Sequence, residues 1–298
     1  MGSLGTYCPL WLLGLDLTPF LMSSLSTAPD DLVLRLTGVS LGYGDVNILR
    51  DISLDVRRGQ VVALMGGSGS GKTTLLRAAT GQIQARHGQV TLFNQDLACV
   101  SISELQALRQ KMGVLFQQGA LFTDLNVFEN VAFPLREHAK LVPADLLSRV
   151  LDALEAVGLR AAAHLRVSEI SGGMARRVAL ARAVVLEPEL VLYDEPFAGL
   201  DPISLGITAR LIRSLSDRLG CASVVITHDI TESFAIADHV YLIGQGVIKA
   251  HGTPATLGNS TDPYVKQFLK GEPDGPVPFD YPISPKFDAW LKDQEARQ

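Results

Sequence analysis

Two rhythms of apolar and polar positions run along this chain. Leu32-Val33-Leu34-Arg35-Leu36 and Ile52-Ser53-Leu54-Asp55-Val56 carry a strand-like alternation, with Gly42, Gly44 and Asp45 breaking the chain between them. The run Val61-Val62-Ala63-Leu64-Met65 is apolar throughout and predicts a buried strand over about 60–65, followed by a helix over about 72–80. Gly88 to Phe93 predicts another strand, and Val114-Leu115-Phe116 a short one that ends at Gln117. From about 118 to 186 the period becomes helical. Leu146, Leu147, Val150, Leu151, Leu154 and Val157 recur at three- and four-residue spacing, and Gly158 acts as a stop. Strand patterns return at 190–193, 223–226 and 240–243. A helical pattern follows each of the first two, which predicts right-handed βαβ units on a mostly parallel sheet, an α/β fold.

The two ends read differently. Residues 7–22 are apolar but interrupted by Pro9, Asp16 and Pro19, too short and broken for a spanning helix. No Lys or Arg precedes them, so the basic region of a signal peptide is missing. The expectation for 1–30 is a poorly ordered extension, with Met22 as the candidate natural start; a weak membrane-surface anchor is the alternative. Beyond Gly271 the prolines 273, 276, 278, 282 and 285 predict an extended arm over 271–298, stiffened on either side of Val277 by Pro276 and Pro278.

Composition narrows the chemistry. The chain has 298 residues, 26 basic against 31 acidic, and no basic stripe that would make nucleic acid its partner. Cys8, Cys99 and Cys221 form no CxxC pair, which fits a reducing compartment with neither a disulfide framework nor a zinc site.

The strand at 60–65 runs into Gly66-Gly67-Ser68-Gly69-Ser70-Gly71-Lys72-Thr73, which fits the pattern G-x-x-x-x-G-K-[ST]. Backbone N–H groups of such a loop wrap nucleotide phosphates, and a following helix points its positive end at the same anion. Lys72 is placed to reach the β- and γ-phosphates, and the Thr73 hydroxyl, beside Thr74, to ligate Mg²⁺. The strand Leu190 to Tyr193 ends in Asp194 and Glu195, whose side chains point different ways and can take different tasks, one toward Mg²⁺ and one toward the attacking water. His228 ends a further strand at the same predicted sheet edge, in reach of a γ-phosphate. Ser171-Gly172-Gly173-Met174 opens a helix with bare N–H groups, a second anion site.

With Tyr43, Gln117 and Ala198-Gly199-Leu200-Asp201 added, this set resembles an ABC-transporter ATPase over roughly 32–270. The resemblance implies a P-loop (RecA-like) core with an ABC β-subdomain, an inserted helical subdomain at about 118–186, and ATP with Mg²⁺. By position, Tyr43 looks like the aromatic that stacks on adenine. Gln117 looks like a glutamine that touches Mg²⁺, with Thr73 and Asp194, and senses the permease. Glu195 looks like the catalytic base, with Lys72 and His228 beside it. Asp201 looks like a link between two ATP sites, and Ser171, Gly172 and Gly173 like the signature that grips the opposite subunit's γ-phosphate. The family's usual Leu-Ser-Gly-Gly-Gln reads Ile-Ser-Gly-Gly-Met here, and Met174 lacks the amide hydrogen bonds of glutamine.

The segments Ser171 to Arg182, Asp194 to Ile203 and Asp274-Gly-Pro-Val-Pro-Phe-Asp-Tyr-Pro282 resemble more narrowly the ATPases of the Mla phospholipid transporters of Gram-negative envelopes. That resemblance implies a homodimer on the cytoplasmic face of the inner membrane, with a tail crossing to the neighbouring ATPase. It also implies an integral-membrane permease, an MCE-domain lipid-binding protein and a STAS-domain protein as partners. Its role would be phospholipid transport that maintains outer-membrane asymmetry. Alternatives are another cargo (a lipoprotein or an amino acid), a soluble non-transport ABC ATPase, or a P-loop kinase.

Overall fold

The computed structural model describes residues 31–117, 119–277 and 284–297, so the expectation for 1–30 lies outside it. The chain enters through two antiparallel strands, β1 (Leu32–Tyr43) and β2 (Val46–Arg57), then runs into β3 (Val61–Gly66), which ends in the glycine-rich loop. Helix α1 (Lys72–Ala79) follows, and then β4 (His87–Leu92) and β5 (Gln95–Asp96). These strands complete an antiparallel sheet in the order β2-β1-β4-β5. Helix α2 (Ile102–Gln110) is started by a capping box between Ser101 and Glu104 and leads into β6 (Met112–Leu115).

A helical stretch intervenes, as expected: α3 (Val127–His138), α4 (Pro143–Ala156) and α5 (Gly172–Val184), with short 3₁₀ turns at Arg160–Ala162 and Val167–Glu169. Its core takes Val150, Leu154 and Val157 from the predicted stripe, with Leu146 packed against them, whereas Leu147 is exposed. Val150 and Leu154 of α4 meet Val127, Val131 and Leu135 of α3 and Val178 and Leu180 of α5. Asn130 is fully buried; its Oδ1 accepts from the Phe122 N–H (2.8 Å) and its Nδ2 donates to the Phe122 and Asn126 carbonyls (both 3.0 Å), so the loop before α3 is tied down.

The chain then returns to the sheet through β7 (Leu190–Asp194), α6 (Pro202–Leu219), β8 (Ala222–Thr227), α7 (Ile230–Ile236), β9 (His239–Gly244) and β10 (Val247–Gly252). The six-stranded order is β10-β9-β3-β8-β7-β6, parallel except for the β10 edge. All six residues of β3 and of β8 are buried, the pattern of strands covered on both faces. Helices α8 (Pro254–Gly258) and α9 (Pro263–Lys270) follow.

The tail differs from expectation. Its last part is a helix, α10 (Pro285–Ala296), and not extended chain. The physical reason is local. Pro285 occupies the first helical turn, where its missing N–H costs nothing, and the Ser284 hydroxyl caps the Phe287 N–H at 3.2 Å. Cys99 is exposed and Cys221 buried, both as free thiols.

Candidate active site

Four neighbouring parallel strands deliver the polar residues to one edge of the sheet: β3 the glycine-rich loop, β8 His228, β7 Asp194 and Glu195, and β6 Gln117. Ligands of such sheets bind beyond the carboxyl ends of the strands. Here a cleft of about 700 Å³ is lined by Ile48, Gly67 through Thr74, Gln117, Asp194, Glu195 and His228.

The loop is built for an anion. A Cβ on Gly66 would come within 2.4 Å of the Ile243 carbonyl, so the strand can leave the sheet there only as glycine. Gly71 caps α1 with φ +99°, a backbone that side chains reject, and α1 carries neither an acid in its first turn nor a side-chain cap. Its first N–H groups are therefore free for phosphate. The Lys72 ammonium donates to the carbonyls of Gly66 (2.8 Å) and Gly67 (3.0 Å). Burial lowers its pKa, and the negative charges of Glu195 and Asp194 oppose that shift. Ser70 Oγ is buried with no hydrogen-bond partner among the described residues, a polar atom on the loop side of the cleft.

The two carboxylates are held differently. Burial raises the Asp194 pKa and the Glu195 charge adds to it, while Lys72 pulls it down. Glu195 sits in left-handed backbone at φ +48°, with its N–H on the Ile226 carbonyl at 2.8 Å. Such a conformation is uncommon in a non-glycine residue and carries modest strain, although six other described residues of the chain, outside the cleft lining, share it. Its Oε2 lies 2.9 Å from His228 Nδ1. When Glu195 is ionised, that nitrogen carries the proton and donates, which fixes the direction of the carboxylate. Thr73, Gln117 and Asp194 bring hydroxyl, amide and carboxylate oxygens to one cleft, a hard donor set that fits Mg²⁺.

Other predicted residues lie elsewhere. Tyr43 is absent from the cleft lining; its hydroxyl accepts from Arg77 Nη1 at 3.0 Å, and Ile48 supplies apolar wall. Ser171, Gly172, Gly173 and Asp201 also stand outside the lining. Ser171 Oγ accepts the Met174 N–H at 3.3 Å and caps α5, while the Met174 side chain packs on the helical core. Asp201 Oδ1 accepts the N–H groups of Ile203 (3.0 Å) and Ser204 (3.1 Å) at the start of α6, and hydrogen bonds from Ser204 hold its carboxyl below the usual range.

Two arginines of α5 escaped the sequence reading. Arg176 is buried and has no acid among its partners. It donates to the carbonyls of Phe116 (3.3 Å), Gln117 (2.6 Å) and Ala198 (3.1 Å). Arg182 donates to those of Gly119 (2.6 Å) and Ala120 (2.8 Å). Together they fasten Phe116, Gln117, Gly119 and Ala120 to the helix that Ser171 caps. A cation set among Val178, Ala179, Leu180 and Ala181 was the available signal.

Residues 49–198 match the family described as "ABC transporter". This chain belongs to that family. It is 53% identical over 251 residues to the intermembrane phospholipid transport system ATP-binding protein MlaF of Escherichia coli (strain K12), covering 84% of this chain and 93% of that protein. The Haemophilus influenzae protein of the same name is 49% identical, over 84% of this chain and 95% of its own length. A probable ribonucleotide transport ATP-binding protein, mkl of Mycobacterium leprae, is 34% identical over 249 residues. Among solved structures, a dimeric post-hydrolysis state of the ATP-binding cassette MJ0796, bound to ADP and Pi, aligns at TM-score 0.67 and 28% identity over 74% of this chain and 99% of that one. CbiO1 of Clostridium perfringens aligns at TM-score 0.73 and 28% identity, over 80% and 96%. The P-loop core, the antiparallel subdomain and the helical insert are thus those of an ABC ATPase, an ATP-hydrolysing cassette that works as a pair with a membrane permease. Among the described residues no helix is long and apolar enough to cross a membrane.

Proposed function

We propose that this ABC ATPase powers phospholipid movement between the membranes of a Gram-negative envelope, maintaining the lipid asymmetry of the outer membrane, from the cytoplasmic face of the inner membrane. The cargo reading is supported by 53% identity to MlaF across 84% of the chain, against 34% to the ribonucleotide-named relative. An MCE-domain lipid-binding protein and a STAS-domain protein complete the assembly around the permease.

One observation carries the mechanism: Ser171 and Asp201 do not line the cleft that holds Lys72, Glu195 and His228. Two copies facing head to tail would bring the Ser171 helix of one to the glycine loop of the other, making two shared sites. ATP then closes the interface and hydrolysis opens it. Within each site Lys72 neutralises phosphate charge, Glu195 polarises the attacking water, and His228 keeps that carboxylate aimed. Thr73, Gln117 and Asp194 would hold Mg²⁺, which when bound neutralises charge on the phosphate oxygens.

The permease has a seat of suitable chemistry. A groove of about 800 Å³ is lined by Met112, Phe116, Phe122, Phe133, Pro134 and Arg182 among others. Its three phenylalanines are 39–46% exposed. Arg182 lies over the Phe122 ring at 5.8 Å, so the groove adjoins the segment fastened to α5.

Affinity purification from native membranes tests the reading. Co-purification of a permease with MCE- and STAS-domain proteins is the expected result; a permease with an amino-acid-binding protein would overturn the cargo.

A further inference from the structure

Arg176 of α5 holds two of the segments that build the cleft, and it holds both by their backbones. Its Nη1 serves the first, donating to the Phe116 (3.3 Å) and Gln117 (2.6 Å) carbonyls just after β6 ends. Its Nη2 serves the second, donating to the Ala198 carbonyl (3.1 Å) in the turn that follows β7.

Each segment carries a residue of the site. Gln117 lines the cleft while its carbonyl turns to Arg176. The Phe116 carbonyl also accepts the Gly119 N–H at 2.7 Å, so the chain bends directly after it. On the other segment the Ala198 N–H donates to the Glu195 carbonyl at 3.3 Å, and the Glu195 N–H donates to the Ile226 carbonyl at 2.8 Å. The backbone of Glu195 is therefore pinned to β8 on one side and, through the turn it opens, to Arg176 on the other.

A guanidinium suits the task. It stays charged, it spaces its donors in a rigid fork, and a charged donor bonds a carbonyl more strongly than a neutral one. Its base is also fixed. Helix α5 lies hard on β6, where a Cβ on Gly113 would come within 2.1 Å of the Ala183 carbonyl. We propose that Arg176 is a positioning residue for ATP hydrolysis: it ties the Gln117 backbone and the Glu195 turn to one helix, so that the Mg²⁺ side of the cleft and the carboxylate that polarises water keep one spacing. The inference rests on the reading of Glu195 as the base and of Gln117 as a neighbour of Mg²⁺.

Three variants of the full-length chain test it: Arg176→Met, Arg176→Lys and Glu195→Gln. Hydrogen exchange at the Ala198 amide of the nucleotide-free chain reads the turn. Steady-state ATPase of the native membrane complex reads kcat and KM, with kcat taken per nucleotide-binding chain so that unfolded protein does not enter. Arg176→Met is expected to speed Ala198 exchange by about tenfold, the worth of one charged hydrogen bond. It should lower kcat by about a hundredfold with KM and nucleotide affinity within about twofold, the usual cost of a ~1 Å misplacement at a reacting centre. Arg176→Lys, which keeps the charge but offers one nitrogen in place of two, should fall between, and it carries the same readouts if the Met variant does not fold. Unchanged Ala198 exchange would overturn the clamp. Faster exchange with undiminished kcat, while Glu195→Gln does lose turnover, would sink the positioning role and leave the base in place. Near-normal turnover in Glu195→Gln would remove the base, and this proposal with it.

Discussion

The cleft at the sheet edge and the tip of α5 make a useful contrast. In the cleft, loop, acids and imidazole come from three adjacent strands, and several of their atoms are left uncomfortable: a Ser70 hydroxyl unpartnered among the described residues, a left-handed Glu195 backbone and a half-buried Asp194. At the tip, Ser171 caps its own helix and Asp201 caps α6, so both are at rest. One region stores tension that a phosphate would relieve. The other is a settled surface which, on the proposed head-to-tail pairing, acts when brought to a partner.

Substitutions can break or sharpen that contrast. Glu195→Gln strikes the strained side and should lower turnover by about two to four orders of magnitude while nucleotide binding persists; steady-state ATPase and nucleotide titration decide it. Near-normal turnover would assign the base elsewhere. Ser171→Arg strikes the settled side and should abolish turnover with monomer nucleotide affinity intact, measured by fluorescence titration below the dimerisation concentration. Loss of monomer binding would place Ser171 in its own chain's cleft.

Arg176→Met lies between the two regions. It leaves three carbonyls without their donor and should cost about 2–4 kcal/mol in denaturant unfolding, since charged hydrogen bonds are the stronger ones. Arg176→Lys should recover part of that loss.

Asp194→Asn gives a smaller effect of opposite sign. A carboxyl whose folded pKa is raised holds its proton longer in the native state than in the unfolded chain. Stability therefore falls as pH climbs from the unfolded to the folded value and stays reduced above it. Removing the charge should raise the melting temperature of nucleotide-free protein at neutral pH, with no gain below the usual carboxylate range. A gain that persists in acid would assign the effect to packing. Smallest of all, Met174→Gln restores the family's usual residue but loses apolar packing on the helical core, costing about 1 kcal/mol by thermal unfolding.

What could be read in advance follows contact distance along the chain. Gly66 to Thr73 is one contiguous segment whose spacing carries its own geometry, and Asp194, Glu195 and His228 were placed by the strands they end. Arg176 was not, because its partners are backbone carbonyls about 60 and 22 positions away, and carbonyls leave no mark in a sequence. Tyr43 was read as the aromatic that stacks on adenine; its hydroxyl is engaged by Arg77 and Ile48 lines the cleft, so the stacking role stays a proposal. The prolines after Gly271 concealed α10, since the same residue that ends a helix also starts one well.

The fastening of Phe116, Gln117, Gly119 and Ala120 to α5 has a mechanical consequence. Ser171 and Arg182 lie eleven residues apart at the two ends of one helix, a stiff rod of about 16 Å. Pressure on the phenylalanine groove reaches the Arg182 end directly. Tilting such a rod by about 10° carries its far tip about 3 Å, a whole hydrogen-bond length. On the proposed pairing, with the permease seated in that groove, a membrane subunit would set whether the serine end reaches a neighbour's phosphate without touching either nucleotide.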